Sequence, residues 1–238
     1  MVNWKFWRRR PPARILRLRS RGDLGDATRV AFEELAPDAT TFLGQAAYLQ
    51  LGYFETLSRL IRATPDLDEK EALSLAAGAA LVKHRAIVDV IRERGEVPSE
   101  IMRPFQAQLD EFRWATIGAR PRETMLSVHI TAGMLDDFYR TLAAEYGDTG
   151  RKVARILNVD SDRELIVDLI RATIEADDEM RSLLSMWARR LVGDTLLVAR
   201  AALRPQRLGV DDEKKVEPVF TALMAAHARR MDALGLSS

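Results

Sequence analysis

Proline and glycine cut this chain into a series of long segments, and within each segment apolar residues recur at the 3.6-residue spacing of an amphipathic helix. Pro37, Pro65, Gly95, Pro121 and Gly147 fall at the ends of those segments. The spacing predicts a helix from Asp38, as cap, to about Thr64, with Leu43, Ala47, Gln50, Phe54, Leu57 and Ile61 on one face. It predicts a second from about Asp68 to Arg94 carrying Leu73, Ala77, Ala80, His84, Ile87 and Ile91. The short connection makes these two antiparallel neighbours.

Pro98 to Gly118 reads as a broken or shorter helix. Pro121 then opens a third long one ending at Gly147, with Met125, Val128, Ala132, Leu135, Tyr139 and Leu142 facing inward. A fourth bundle segment spans roughly Arg151 to Ile174, either continuous or broken near Asn158 to Ser161. An amphipathic helix from Asp178 to Leu203 follows, with Leu183, Trp187, Leu191, Asp194 and Val198 aligned, and a last helix runs from Pro218 to Leu234. A short helix over Asp23 to Ala36 precedes them all. No strand-like alternation occurs, so the chain reads as all-α. Its expected organisation is a basic arm over 1–22, a helical bundle over 23–204 and a C-terminal helix over 205–238 packed on the bundle.

The 238 residues contain no cysteine, which removes disulfides, thiolate metal sites and cysteine nucleophiles. No stretch approaches the roughly 18 uninterrupted apolar residues that a membrane span needs. The net charge of +1 hides an asymmetry: eight of the 36 basic residues lie in Met1–Arg21, which has no acidic residue, leaving 28 against 35 acidic residues in the remainder. A twin-arginine reading of Arg8-Arg9 lacks the apolar region that must follow, because Pro11-Pro12 and spaced arginines come next. The expectation is a cytoplasmic protein, with a membrane-peripheral location as the variant that the arm allows.

Walker-type phosphate loops, GxGxxG after a strand and GxSxG elbows are all missing from the sequence. In a helical bundle the chemistry to look for is a carboxylate-bridged metal pair, built from single Glu residues on two helices and a Glu-x-x-His on each of the other two. The histidines are His84, His129 and His227, and the residues three positions before them are Leu81, Leu126 and Met224. No Glu-x-x-His exists. Each histidine lies close to an apolar stripe, where a buried, hydrogen-bonded imidazole is the expected state.

Two segments carry a family resemblance: Gly133-Met134-Leu135-Asp136-Asp137-Phe138-Tyr139-Arg140 and Trp187-Ala188-Arg189-Arg190-Leu191-Val192-Gly193-Asp194. They resemble ferritin-like proteins grouped with the MiaE-type tRNA hydroxylases of actinobacteria, over about Leu43 to Leu203. The resemblance implies a ferritin-like antiparallel four-helix bundle and, in metal-bearing relatives, a di-iron hydroxylase acting on tRNA. The ligand pattern departs from that implication. The position resembling the first-helix glutamate is Gln50, those resembling the second-helix Glu-x-x-His are Ala80 and Lys83, and the histidine-like position of the fourth helix is Asp162. Alanine cannot ligate, and an ammonium at a cation's place repels the cation.

Other carboxylates have structural explanations. Glu164, three after Ser161, fits a capping box as well as it fits a ligand. Glu55 can pair with Arg59, Asp136 with Arg140 and Asp194 with Arg190 on helix surfaces. The expectation is an interior held by organic side chains, Lys83 answering a carboxylate among Asp137, Glu164 and Asp194 while Gln50 donates hydrogen bonds. Its plain alternative sends the Lys83 ammonium along the helix to solvent.

The arm interleaves Trp4, Lys5 and Trp7 with Arg8, Arg9, Arg10, Arg14 and Arg17. RNA would use the arginines against phosphates and the aromatics for stacking. An anionic membrane surface would take the tryptophans at headgroup level. An acidic patch on the body or on a partner protein is a third candidate, and a solubilising tail with no partner a fourth. Two functions result: a ferritin-like binding or scaffold protein without cofactor, contacting an anionic partner through the arm and open to homo-oligomerisation; or an iron-dependent hydroxylase with a site assembled from Asp137, Glu164, Asp194 and a histidine such as His84.

Overall fold

In the computed structural model, which describes residues 35–203 and 210–236, the first four described helices and the one that begins at Asp178 start where the sequence supplies a cap or a proline. Asp38 accepts from the Thr41 amide at 2.9 Å and opens α1 (Ala39–Ala63). Asp66 accepts from the Glu69 amide at 2.9 Å and opens α2 (Leu67–Glu93). Pro98 and Pro121 stand in the first turns of α3 (Pro98–Thr116) and α4 (Pro121–Leu142), where a missing N–H costs nothing. A 3₁₀ turn, Ala143–Tyr146, leads into α5 (Gly147–Leu157), and α6 (Arg163–Ala176), α7 (Asp178–Ala201) and α8 (Val210–Ala233) complete the order. The described residues contain no strand, and none of their helices is long and apolar enough to cross a membrane.

The bundle consists of α1, α2, α4 and a fourth helix made of two pieces, α5 and α6. Helix α1 packs along α2, α3 and α4, while α5 and α6 close the other side against α2 and α4. Helix α4 lies at the centre, in contact with α1, α5, α6, α7 and α8, and it is buried almost all round. The core is apolar and continuous: Phe42, Leu43, Leu73, Ile87, Ile91, Met125, Leu126, Ile130 and Phe138 are fully enclosed. Helix α3 lies outside the four, close against α1. A Cβ on Gly44 would come within 2.3 Å of the Ile101 carbonyl oxygen, so glycine is what lets the two backbones meet.

Two open alternatives are decided: Pro98–Thr116 is the shorter helix, unbroken and tolerating Pro104 inside it, and the fourth segment is broken, between Leu157 and Arg163, with Asp162 in the left-handed region at φ 48°. Three expectations need correction. The third long helix stops at Leu142, because a 3₁₀ turn takes over before Gly147. On α7 the buried line runs through Leu184, Ala188, Leu191, Thr195 and Val198, one position round from the expected face. The last helix begins at Val210 and carries Pro218 inside it.

Candidate functional site: a charged cluster inside the bundle

The break between α5 and α6 faces the middle of α2, and Lys83 fills it. Lys83 is 1 % exposed. Its ammonium donates to the Leu157 carbonyl at 3.1 Å and to the Ser161 hydroxyl at 2.5 Å. The last carbonyls of a helix have no partner within the helix and carry its negative dipole end, so a cation at the C-terminus of α5 satisfies both deficits. With two donors used, the third N–H is available toward the Asp136 carboxylate, whose Oδ2 lies 3.6 Å away.

Asp136, on α4, is 4 % exposed and held from three sides. Gln50 of α1 donates to Oδ1 at 2.8 Å, and Arg163, first residue of α6, brings its Nη2 to 3.3 Å from Oδ2. One carboxylate thus faces two cations and an amide, each from a different bundle element. Burial pushes the Lys83 ammonium below the usual lysine range, Asp136 opposes that shift and Arg163 adds to it. The buried Tyr53 phenol beside them is pushed upward, by burial first and the Asp136 carboxylate second.

Around these groups lies a cavity of about 20 Å³, bordered by Gln50, Tyr53, Ala80, Lys83, Asp136 and Arg163. That is room for about one water-sized occupant. A bridged metal pair, roughly 3.5–4 Å apart, needs several anionic oxygens and imidazoles around it. The donor set here is a single carboxylate, an amide, the hydroxyls of Ser161 and Tyr53, and the basic groups of Lys83 and Arg163. These residues do not fit a di-iron centre.

The expected site residues are therefore only partly brought together. Gln50, Ala80 and Lys83 line one interior space. The carboxylate that Lys83 answers is Asp136, not Asp137, Glu164 or Asp194. Asp137, one residue on and about 100° round the helix, turns away and pairs with Arg140 and with Arg230 of α8. Glu164 is exposed, Asp194 half-buried on α7, and Asp162 forms the turn before α6 without capping it by its side chain. Ser161 is engaged by Lys83, which removes the capping-box reading. Arg140 meets the Asp136 backbone carbonyl instead of its carboxylate, and Glu55 pairs with Arg113 instead of Arg59.

The histidines divide. His84 directs Nδ1 at the Ala47 carbonyl at 2.9 Å, so this nitrogen carries a proton. The Nδ1 atoms of His129 and His227 are buried without a hydrogen-bond partner, contrary to the expected bonded state. Burial pushes the His129 ring down to about 3, with Arg163 and Arg230 adding to the effect, and His227 down to about 4. Trp187, in the second resemblance segment, donates from Nε1 to the Ser127 hydroxyl at 2.8 Å and so ties α7 to α4. Sequence reasoning missed Arg163, which sits just after a break whose existence was left open. The residues Trp4, Lys5, Trp7, Arg8, Arg9, Arg10, Arg14 and Arg17 lie outside the described residues, as does nearly all of the short helix expected over 23–36.

No curated protein matches this chain. A family model described as "Ferritin-like domain, actinomycetes" matches residues 31–229, from before α1 to the last turns of α8. With most of its length under that match and the helical bundle described above, this chain belongs to the actinomycete ferritin-like domain family.

Proposed function

We propose that this chain is a binding or scaffold protein in which an ion-pair cluster takes the place of a di-iron centre, and that it contacts an anionic partner through its basic N-terminal arm. The single observation that carries the first half is the Lys83 ammonium, 1 % exposed and fixed to the Leu157 carbonyl, Ser161 and Asp136. A metal entering there would have to displace or deprotonate it, and would find one carboxylate. Support for the second half is the sequence of the arm, where aromatic and basic residues alternate without an acidic residue to offset them.

The hydroxylase alternative requires Asp137, Glu164, Asp194 and His84 to converge. Asp137 and Glu164 border one groove, but Asp137 is held between two arginines and Glu164 is exposed, while Asp194 on α7 and His84, on the Ala47 carbonyl, are not in its lining. Iron content of freshly purified protein tests the first half, and an amount near two per chain would overturn it. Binding of RNA and of anionic liposomes, before and after removing Met1–Arg21, tests the second half. Loss of either binding with the arm supports it and names the partner class; unchanged binding refutes it.

A further inference from the structure

On the far side of Arg163 from Asp136, helices α4, α6 and α8 leave an open groove of about 500 Å³. Its lining includes the neutral His129 ring on α4 and the cations Arg163 and Arg171 on α6 and Arg229 and Arg230 on α8. Three nitrogens in that lining are buried without a hydrogen-bond partner: His129 Nδ1, Arg163 Nη1 and Arg230 Nη1. Such orphans are rare in folded proteins, since each loses its hydration without compensation. Three at one place, from three helices, describe a binding site better than three separate defects do.

The charges around the groove agree. Arg163 and Arg230 already spend their Nη2 atoms on protein acceptors, on Asp136 at 3.3 Å and on Asp137 and the Gly133 carbonyl. Arg171 is braced on the Ala233 carbonyl at 3.0 Å. The guanidiniums are thus held in place before any ligand arrives, which lowers the ordering cost of binding. Two carboxylates border the groove. Asp137 is taken up by Arg140 and Arg230 and Glu164 is exposed, while Arg163 also answers Asp136 at 3.3 Å and Arg171 meets Asp168 at 3.4 Å, so the four lining arginines are partly, not wholly, offset by protein carboxylates. Burial and the neighbouring Arg163 also depress Arg230, to about 10, with the Asp136 carboxylate opposing the shift. The first turn of α6, whose cap residue Asp162 makes no side-chain bond, lies at the same edge.

We propose that this groove binds the phosphate group of a small soluble phosphorylated molecule, with His129, Arg163 and Arg230 each donating to a different phosphate oxygen. The tripod is the reason for choosing phosphate: three donors from three helices require three acceptor oxygens, whereas a planar carboxylate suits two parallel N–H groups from one guanidinium. The groove's volume is within the range for a small organic ligand, leaving space for what the phosphate is attached to. This site is separate from the arm and does not depend on what the arm contacts.

The test uses the full chain and a local signal, because the arm would also attract anions. Inorganic pyrophosphate is titrated while the side-chain ¹H–¹⁵N resonances of the three histidines are followed, with citrate as a carboxylate control. The expected result is a saturable shift of His129 at one equivalent, with His84 unmoved and citrate much weaker. Arg230→Gln should weaken that shift by about tenfold or more. Because Arg230 also packs on Gly133, the more exposed pair Arg171→Gln/Arg229→Gln is run beside it and should weaken binding in the same direction. Absence of a saturable His129 shift, an equal response to citrate, or an affinity unchanged in the Arg171→Gln/Arg229→Gln protein would each overturn the assignment.

Discussion

Replacing Asp136 by asparagine keeps the shape of the side chain and removes the one negative charge between Lys83 and Arg163. At 3.6 Å and an effective dielectric of about 20, the Lys83–Asp136 attraction is about 4–5 kcal/mol before desolvation. Without it, the buried Lys83 and the half-buried Arg163 face each other, so Asp136→Asn should destabilise the fold by about 3–5 kcal/mol. Lys83→Met leaves Asp136 with Arg163 and Gln50 as partners, and its cost should be smaller, about 2–3 kcal/mol. The double variant removes the charge conflict altogether. Its cost should therefore fall short of the sum of the singles by about 2–3 kcal/mol, the coupling energy of residues in one network. Urea unfolding followed by circular dichroism gives each value by linear extrapolation. Additivity within about 0.5 kcal/mol, or a Lys83→Met variant costlier than Asp136→Asn, would refute the reasoning.

Three further outcomes follow from other parts of the molecule. Gly133→Ala places a methyl 2.5 Å from Nε of Arg230, so that guanidinium must leave its contacts with Asp137 and the Gly133 carbonyl; a loss of about 1 kcal/mol is expected, and an unchanged urea midpoint would contradict the packing. Ser161→Ala leaves one Lys83 donor without its 2.5 Å acceptor, a cost of about 1–3 kcal/mol that Ser161→Thr should largely avoid in the same denaturant assay. His129 and His227 are held near 3 and 4 in the fold, below the ordinary value of 6.5, so the unfolded chain takes up their protons first as pH falls. Stability is then full above about 6.5 and declines toward pH 4 by up to about 1.4 kcal/mol per pH unit for each ring. A His129→Gln/His227→Gln protein should lose most of that slope in unfolding curves taken between pH 7 and pH 5.

The helices were readable because prolines, caps and apolar period agree with one another: Asp38, Pro98 and Pro121 stand where α1, α3 and α4 start. The interior was readable only in outline. Lys83 and Gln50 stood out as the wrong chemistry at ligand-like positions, and both do border the cluster. The partner was misread by one residue. Asp136 lies four after Ala132 and three before Tyr139, hence on the inward face, but an arginine four further on offered a surface pair that looked sufficient. Periodicity also loses force on α4, because a helix packed on five others has almost no outer face against which to define an inner one. Arg163 had no local signal of its own, for the sequence offered a break near Asn158 to Ser161 without deciding that one exists, and only tertiary packing turns the residue after it toward Asp136. Partnerless histidine nitrogens are likewise properties of assembled helices, not of spacing.

On the proposed reading, an ammonium and a guanidinium, answering one aspartate, hold the place where ferritin-like enzymes keep metal. Anaerobic titration of the full chain with ⁵⁷Fe(II), followed by oxygen exposure and Mössbauer spectroscopy, puts this reading to the test. Loosely held, mononuclear or precipitated iron with no spin-coupled signal is expected. A coupled diferric doublet at about two irons per chain would contradict it.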